Sequence, residues 1–296
     1  MNKNRLNNFL NLSIKRKNKL IKMSFFSRLI YYPDMLMQSI FCFFLNKFNF
    51  SFPYKIKTFW GKRMKVILPE VISSDLRRFG FIEDSVAFFI INYCSRGNTV
   101  IDVGSHFGFF SLLMSEVVGN DGSVHCFEPT PSTFSILKTN VFEKENIYIN
   151  QKAILDEDSE IQLNDYGLTS SAFNSINDSR EKKSIHKLNQ SKVSVRSITL
   201  DYYVISNKLR PKLIKIDTES SEYKVLKGMH YILNEIRPIL CVELGDLDVD
   251  NVKSSREIIN FLIERYGYKP YEISNGKLKK HKLREKYGFI NLFFKV

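Results

Sequence analysis

From residue 99 onward the apolar positions follow two alternating rhythms. Short β-branched runs are followed by stripes in which apolar residues recur every three to four positions. Thr99-Val100-Ile101 predicts a strand, and Phe109, Phe110, Leu112, Leu113 and Met114 predict a helix directly after it. Residues 124–127 predict a second strand. Residues 131–143 predict a helix entered through Pro131, with Phe134, Leu137 and Val141 on one face. Further core strands are predicted at 147–149, 212–216 and 238–242, helices at 221–234 and 253–266, and last strands at 268–273 and 289–296. Residues 153–200 read as strand and loop. Upstream, residues 54–68 alternate polar and apolar around Gly61, a hairpin pattern, and 84–95 read as a helix leading into the first strand. Strands alternating with helices predict an α/β fold with a doubly wound, mostly parallel sheet.

The first 50 residues break this rhythm. Residues 1–23 are rich in Lys, Asn and Arg, and residues 24–50 are apolar and aromatic. The uncharged stretch from Met35 to Asn46 is about half of the roughly 20 residues a spanning helix needs. No small-residue cleavage site follows it, which argues against a signal peptide. Two readings stand side by side: an interfacial helix on an anionic membrane surface, or a helix packed on the core or on a second copy in a homodimer.

Charge sharpens this division. The net charge is +13. Residues 1–65 hold 14 Lys and Arg and one acid, Asp34, and so carry the whole excess; the remaining 30 bases and 30 acids cancel. A neutral core argues against nucleic acid as partner. The four cysteines, Cys42, Cys94, Cys126 and Cys241, form no CxxC pair and read as reduced thiols of a cytoplasmic protein. With the N-terminal segment, that predicts a chain in the cytoplasm, peripheral at the inner face of the membrane.

Candidate chemistry gathers at strand ends. Four strands end in a carboxylate: Asp102, Glu128, Asp217 and Glu243. Ligands of open α/β sheets bind at the carboxyl edge. After Asp102 comes a glycine turn with Gly104 and Gly108, spaced Asp-x-Gly-x-x-x-Gly rather than as the dinucleotide fingerprint. Glu128 lies 20 residues beyond Gly108, where an acid commonly accepts hydrogen bonds from ribose hydroxyls. A nucleoside without a phosphate chain fits this pattern, and S-adenosylmethionine is one. Its methionine part would lie over Gly104 to Gly108.

These motifs together resemble the FkbM-type S-adenosylmethionine-dependent methyltransferases. The resemblance rests on Ile-Asp-Val-Gly-Ser-His-Phe-Gly-Phe-Phe-Ser-Leu (101–112), Phe-Glu-Pro-Thr-Pro-Ser-Thr-Phe (127–134), Leu137, Asn140, Ala153, Thr199-Leu200-Asp201, Ile-Lys-Ile-Asp-Thr-Glu (214–219), Glu222, Leu226, Gly228 and the run from Pro238 to Glu243. It covers about residues 80–245 and leaves out 1–50. It implies a Rossmann-like methyltransferase sheet at 99–296; the residue pattern itself gives the hairpin and helix at 54–98 and the basic, then apolar extension at 1–53. The implied cofactor-binding residues are Asp102, Gly104, Ser105, His106, Phe107, Gly108, Glu128 and Pro129. Two positions depart from the family pattern. Ser105-His106 stands where Ala-Asn is usual, and Ser220 stands where a glycine is usual, which strains the chain if φ is positive there.

Asp217 and Glu219 are the expected catalytic pair. Asp217 would position the cofactor amine or an acceptor hydroxyl, and Glu219 would act as base or acceptor ligand. In the alternative, Glu219 caps the next helix and Asp217 is structural. No metal is expected, although Asp217, Glu219 and Glu243 together can supply magnesium ligands. The resemblance implies O-methylation of a sugar, glycan or lipid-linked hydroxyl, with 164–192 as a substrate-facing loop. RNA methylation and a catalytically silent binding module are the competing readings.

Overall fold

The computed structural model describes residues 1–48, 50–176, 191–246, 252–274 and 276–296. The central sheet has eight strands: β3 (Thr99–Val103), β4 (Ser123–Phe127), β5 (Ile147–Asn150), β9 (Pro211–Ile216), β10 (Ile239–Leu244), β11 (Lys269–Ser274), β12 (Lys277–Lys280) and β13 (Ile290–Lys295). Their order is β12-β11-β13-β10-β9-β3-β4-β5. The five strands from β10 to β5 are parallel, and β13 is inserted antiparallel between β10 and β11. Val100, Ile101, Val124, Leu213, Ile214 and Leu240 are fully buried, as expected for parallel strands covered by helices on both faces. The order reverses between β3 and β9, so the crevice of this doubly wound sheet opens at their carboxyl ends.

The covering helices are α5 (Asp84–Tyr93), α6 (Phe109–Val118), α7 (Pro131–Val141), α8 (Leu200–Ser206), α9 (Glu222–Lys227) and α10 (Ser255–Tyr266). The helix expected at 221–234 is broken. Helix α9 ends at Gly228, and a π-helical turn, Ile232–Ile236, follows. A Cβ at residue 228 would come within 2.1 Å of the Leu155 carbonyl oxygen, so close packing on the neighbouring loop demands glycine there. Within the stretch 153–200, expected as strand and loop, lies a small side sheet of β6 (Ala153–Ile154), β8 (Ser191–Ile198) and β7 (Ser159–Asp165), in that order.

The N-terminal segment folds as α1 (Lys3–Lys22), α2 (Phe25–Tyr31) and α3 (Pro33–Lys47). The expected hairpin is β1 (Phe52–Lys57) paired with β2 (Arg63–Leu68), followed by α4 (Val71–Phe79). Helix α1 packs on α5 and α4 and buries Leu6 and Leu10 in the main core. Helices α2 and α3 bury almost nothing.

A large-to-small change in α1 should therefore behave as a core mutation. Leu10→Ala should cost about 2–4 kcal/mol, read as a shift of the urea midpoint. Phe44→Ala, on α3, should stay within roughly 0.5 kcal/mol.

Candidate functional site

The loops after β3, β4 and β9 are tied together by backbone bonds. The N–H groups of Gly104 and Ser105 both donate to the Phe127 carbonyl at 3.0 Å, and Asp217 N–H donates to the Val103 carbonyl at 3.1 Å. Gly104 has φ +78°, and a Cβ there would lie 1.7 Å from the Asp217 carbonyl oxygen. Only glycine lets the two loops approach this closely.

Glu128 leaves the end of β4 almost fully buried. Its Oε2 accepts from His106 N–H and its Oε1 from Thr130 N–H, both at 3.0 Å. Burial raises its pKa to about 7, against the lowering effect of these bonds. His106 has φ +49°. Its Nε2 pairs at 2.8 Å with the hydroxyl of Ser171, in a 3₁₀ turn, Leu168–Phe173. Burial pushes the His106 pKa down to about 4, so the ring is neutral at physiological pH.

Under this loop lies a buried charge cluster. Lys215, on β9, is 2% exposed. Its Nζ lies 2.7 Å from Asp217 Oδ2 and 3.9 Å from Asp102 Oδ1, and 5.2 Å from the centre of the Phe110 ring. Burial disfavours the ammonium, but Asp217, Asp102 and Glu83 outweigh it and raise the lysine pKa. Ser111 donates to Asp102 Oδ2 at 2.6 Å. Burial raises the Asp102 pKa, opposed by Lys215 and Ser111.

The loop after β9 holds strained backbone. Glu219 has φ +50° and Ser220 φ +83°. The buried Glu222 carboxylate secures it. Its Oε1 accepts from Thr218 N–H at 3.0 Å, Thr218 Oγ1 at 3.2 Å and Ser220 N–H at 3.2 Å. Glu222 thus takes the loop-end role that the alternative reading gave to Glu219, and α9 has no side-chain cap at Ser221.

These loops wall one cavity of about 840 Å³, mouth included. Gly104, His106, Glu128, Pro129, Asp217 and Glu219 all line it, as does Glu243. The carboxylate oxygens of Asp217, Glu219 and Glu243 lie within 4.8 Å of one another, a donor set able to hold a cation. Asp102, Ser105, Phe107 and Gly108 lie behind the wall. Asp102 and Phe107 are each 1% exposed, the Ser105 hydroxyl donates to the Asp102 carbonyl at 2.8 Å, and Gly108 packs against Leu137. They support the turn rather than face the cavity. Of the expected substrate-facing loop, 177–190 lies outside the described residues, but Ser171, Asn174 and Ser175 reach the wall.

Three participants escape the sequence reading. Glu83 also lines the cavity. It sits at φ +41° before α5 and accepts from Asn291 Nδ2 at 2.9 Å. Burial and the nearby Asp217 carboxylate raise its pKa, against Lys215. No motif spacing links it to the strand ends. Lys215 did leave a signal, one cation inside the apolar run 213–216. Glu222 left none beyond its family position.

The strand order, the glycine turn after the first parallel strand and the acid ending the second define a Rossmann-like, S-adenosylmethionine-dependent methyltransferase domain. The chain belongs to the FkbM methyltransferase family: the family described as "Methyltransferase FkbM domain" matches residues 102–270, more than half of its length. Hexuronic acid methyltransferase AglP of Haloferax volcanii is 26% identical over 162 residues, which are 53% of this chain and 61% of AglP. The chain thus spans under two thirds of that relative. Methyltransferase 1 of Beauveria bassiana is 22% identical over 192 residues, 59% of this chain and 77% of that protein. The crystal structure of an FkbM methyltransferase from Methylobacillus flagellatus superposes with a TM-score of 0.43 at 13% identity, covering 67% of this chain and 43% of that one.

Ser220→Gly should relieve the left-handed strain and stabilise the protein by about 1 kcal/mol, read as a rise in the melting temperature. An unchanged or lower melting temperature would show that serine is at ease there.

Proposed function

We propose that this protein transfers a methyl group from S-adenosylmethionine to a hydroxyl of a sugar, glycan or lipid-linked acceptor. One observation carries the reading: Glu128, Asp217 and Glu219, from the ends of β4 and β9, the two parallel strands that flank β3, line a single cavity. The donor set suits the cofactor. Five carboxylates, of Glu83, Glu128, Asp217, Glu219 and Glu243, line the cavity, and that surplus of acids matches a ligand with a sulfonium and an ammonium group. It opposes a polyphosphate ligand, which weakens the RNA reading.

When bound, S-adenosylmethionine supplies a methyl group already activated on sulfur. Glu128 accepts the ribose hydroxyls; its two other bonds fix the carboxylate in place beforehand. Gly104 keeps the wall free of side chain at the turn, where the methionine part would have room. Asp217, held by Lys215, orients the ammonium or the acceptor hydroxyl. Glu219 would take the proton of the acceptor hydroxyl, the base that transfer of a sulfonium methyl to that oxygen calls for. Glu83, with its raised pKa, is a second acceptor for that proton. None of these roles needs a metal. The sugar acceptor draws support from AglP, a relative named for hexuronic acid. Transfer of labelled methyl to a panel of sugar acids and lipid-linked glycans tests the reading. A folded protein that binds no S-adenosylmethionine by calorimetry would sink it in favour of a silent module.

Two outcomes follow from the assigned roles. Glu128 has a pKa of about 7 without ligand, and the ionised form accepts the ribose hydroxyls. Binding therefore expels a proton, and cofactor affinity should climb about tenfold per pH unit below 7 and level off above it. Titration calorimetry across pH checks this, and Glu128→Gln should bind weakly with a flat profile. Asp217→Asn should lower kcat by about 100-fold or more while changing cofactor affinity only a few-fold; steady-state kinetics with unchanged kcat would remove its catalytic role.

A further inference from the structure

The structure divides the N-terminal segment into a packed helix and an unpacked pair. Helix α1 is seated on the core through Leu6 and Leu10. On α3, Met37, Ile40, Phe41 and Phe44, continued by Phe48, recur at helical spacing and form one exposed stripe; Met37 is 71% exposed and Phe44 50%. Helix α2 adds exposed Phe25, Phe26 and Ile30. Single exposed apolar residues are ordinary, but a contiguous aromatic face of this kind marks a contact surface.

We propose that the α2–α3 face docks on an anionic lipid bilayer, lying in the interface rather than crossing it. No helix among the described residues is long and apolar enough to cross a membrane. Charge selects the occupant. Residues 3–47 contain nine Lys and Arg against Asp34 alone. Lys15, Arg16, Lys19, Lys22, Arg28 and Lys47 are exposed on α1 to α3, with Arg16 over the Tyr32 ring and Lys47 over the Phe48 ring. Apolar residues that enter the acyl boundary, rimmed by cations that meet lipid phosphates, form an interfacial anchor. A second copy on this face would bring its own basic side chains against these, because a two-fold contact pairs a patch with itself.

Helix α4 touches both the anchor and the site. Arg78 donates to the Ser39 hydroxyl of α3 at 3.1 Å, and Ile72, at the other end of α4, lines the cavity. Docking would thus hold the cavity at a fixed place relative to a membrane carrying a lipid-linked acceptor. That consequence rests on the proposed function; the docking itself does not.

Flotation of the full chain with vesicles tests the docking, without cofactor or acceptor, so that its failure and failure of methyl transfer are read separately. The chain should float with vesicles of phosphatidylcholine and phosphatidylglycerol in equal parts, and should be released by high salt. With phosphatidylcholine alone, binding should be at least about tenfold weaker. The combined substitution Met37→Ser, Ile40→Ser and Phe44→Ser should cut binding by about tenfold or more while the melting temperature and S-adenosylmethionine binding stay unchanged. No flotation of the full chain, or equal flotation of the variant, would overturn the proposal. So would a dimer in sizing chromatography that the same three substitutions dissolve, because the face then belongs to a second copy.

Discussion

A lysine ammonium with almost no exposure at the middle of a parallel sheet is the constraint around which this site is arranged. Lys215 sits on β9 beside β3, and only carboxylates can make its burial tolerable. Asp102 from β3 and Asp217 from the end of β9 supply them. Removing one partner of such a cluster costs about 3–5 kcal/mol, because a charge is left buried and uncompensated. The ammonium therefore holds Asp217 at the sheet edge, where the cavity begins. It also explains why Asp102, the first acid of the glycine turn, faces inward: its carboxylate belongs to the lysine and to Ser111, not to a ligand.

Around this centre, the loops are shaped by side chains that capture backbone N–H groups. Glu128 holds the turn after β3, and Glu222 holds the turn after β9. Both carboxylates are buried, so each hydrogen bond is strong and each loop has little freedom. The cost is backbone strain. His106, Glu219 and Ser220 all adopt positive φ, and His106 and Glu219 line the cavity. Strain of this kind persists only where surrounding contacts over-determine it, as they do here. The neutral His106 ring bonds Ser171, which joins the glycine turn to the 3₁₀ segment that lines the cavity.

Charge is segregated across the molecule with the same economy. Acids collect on the cavity wall and bases on the N-terminal helices. The two fields do not cancel locally, which suits the two ligands of opposite sign proposed here: a cationic cofactor at the sheet edge and a phosphate-bearing surface at α2 and α3.

How much of this the amino-acid order decided follows from the range of each interaction. The alternation of apolar runs and stripes was enough for the doubly wound sheet, since burial on both faces leaves a continuous β-branched run no other home. The glycine turn and Glu128 were legible because their spacing is set by one strand–turn–helix unit. Asp217 and Glu219 could be placed on the cavity side for the same reason. The burial of Asp102 was not legible, because facing in or out at a strand end depends on Lys215, more than a hundred residues away. Glu83 was invisible for a like reason: only the packing of α5 beside β13 brings it to the wall. The N-terminal segment left its two readings open, because a helical stripe reports that a face is apolar, not what covers it. Tertiary packing gave α1 to the core and left α2 and α3 uncovered, since only contacts between distant segments decide which apolar surface finds a partner within the chain.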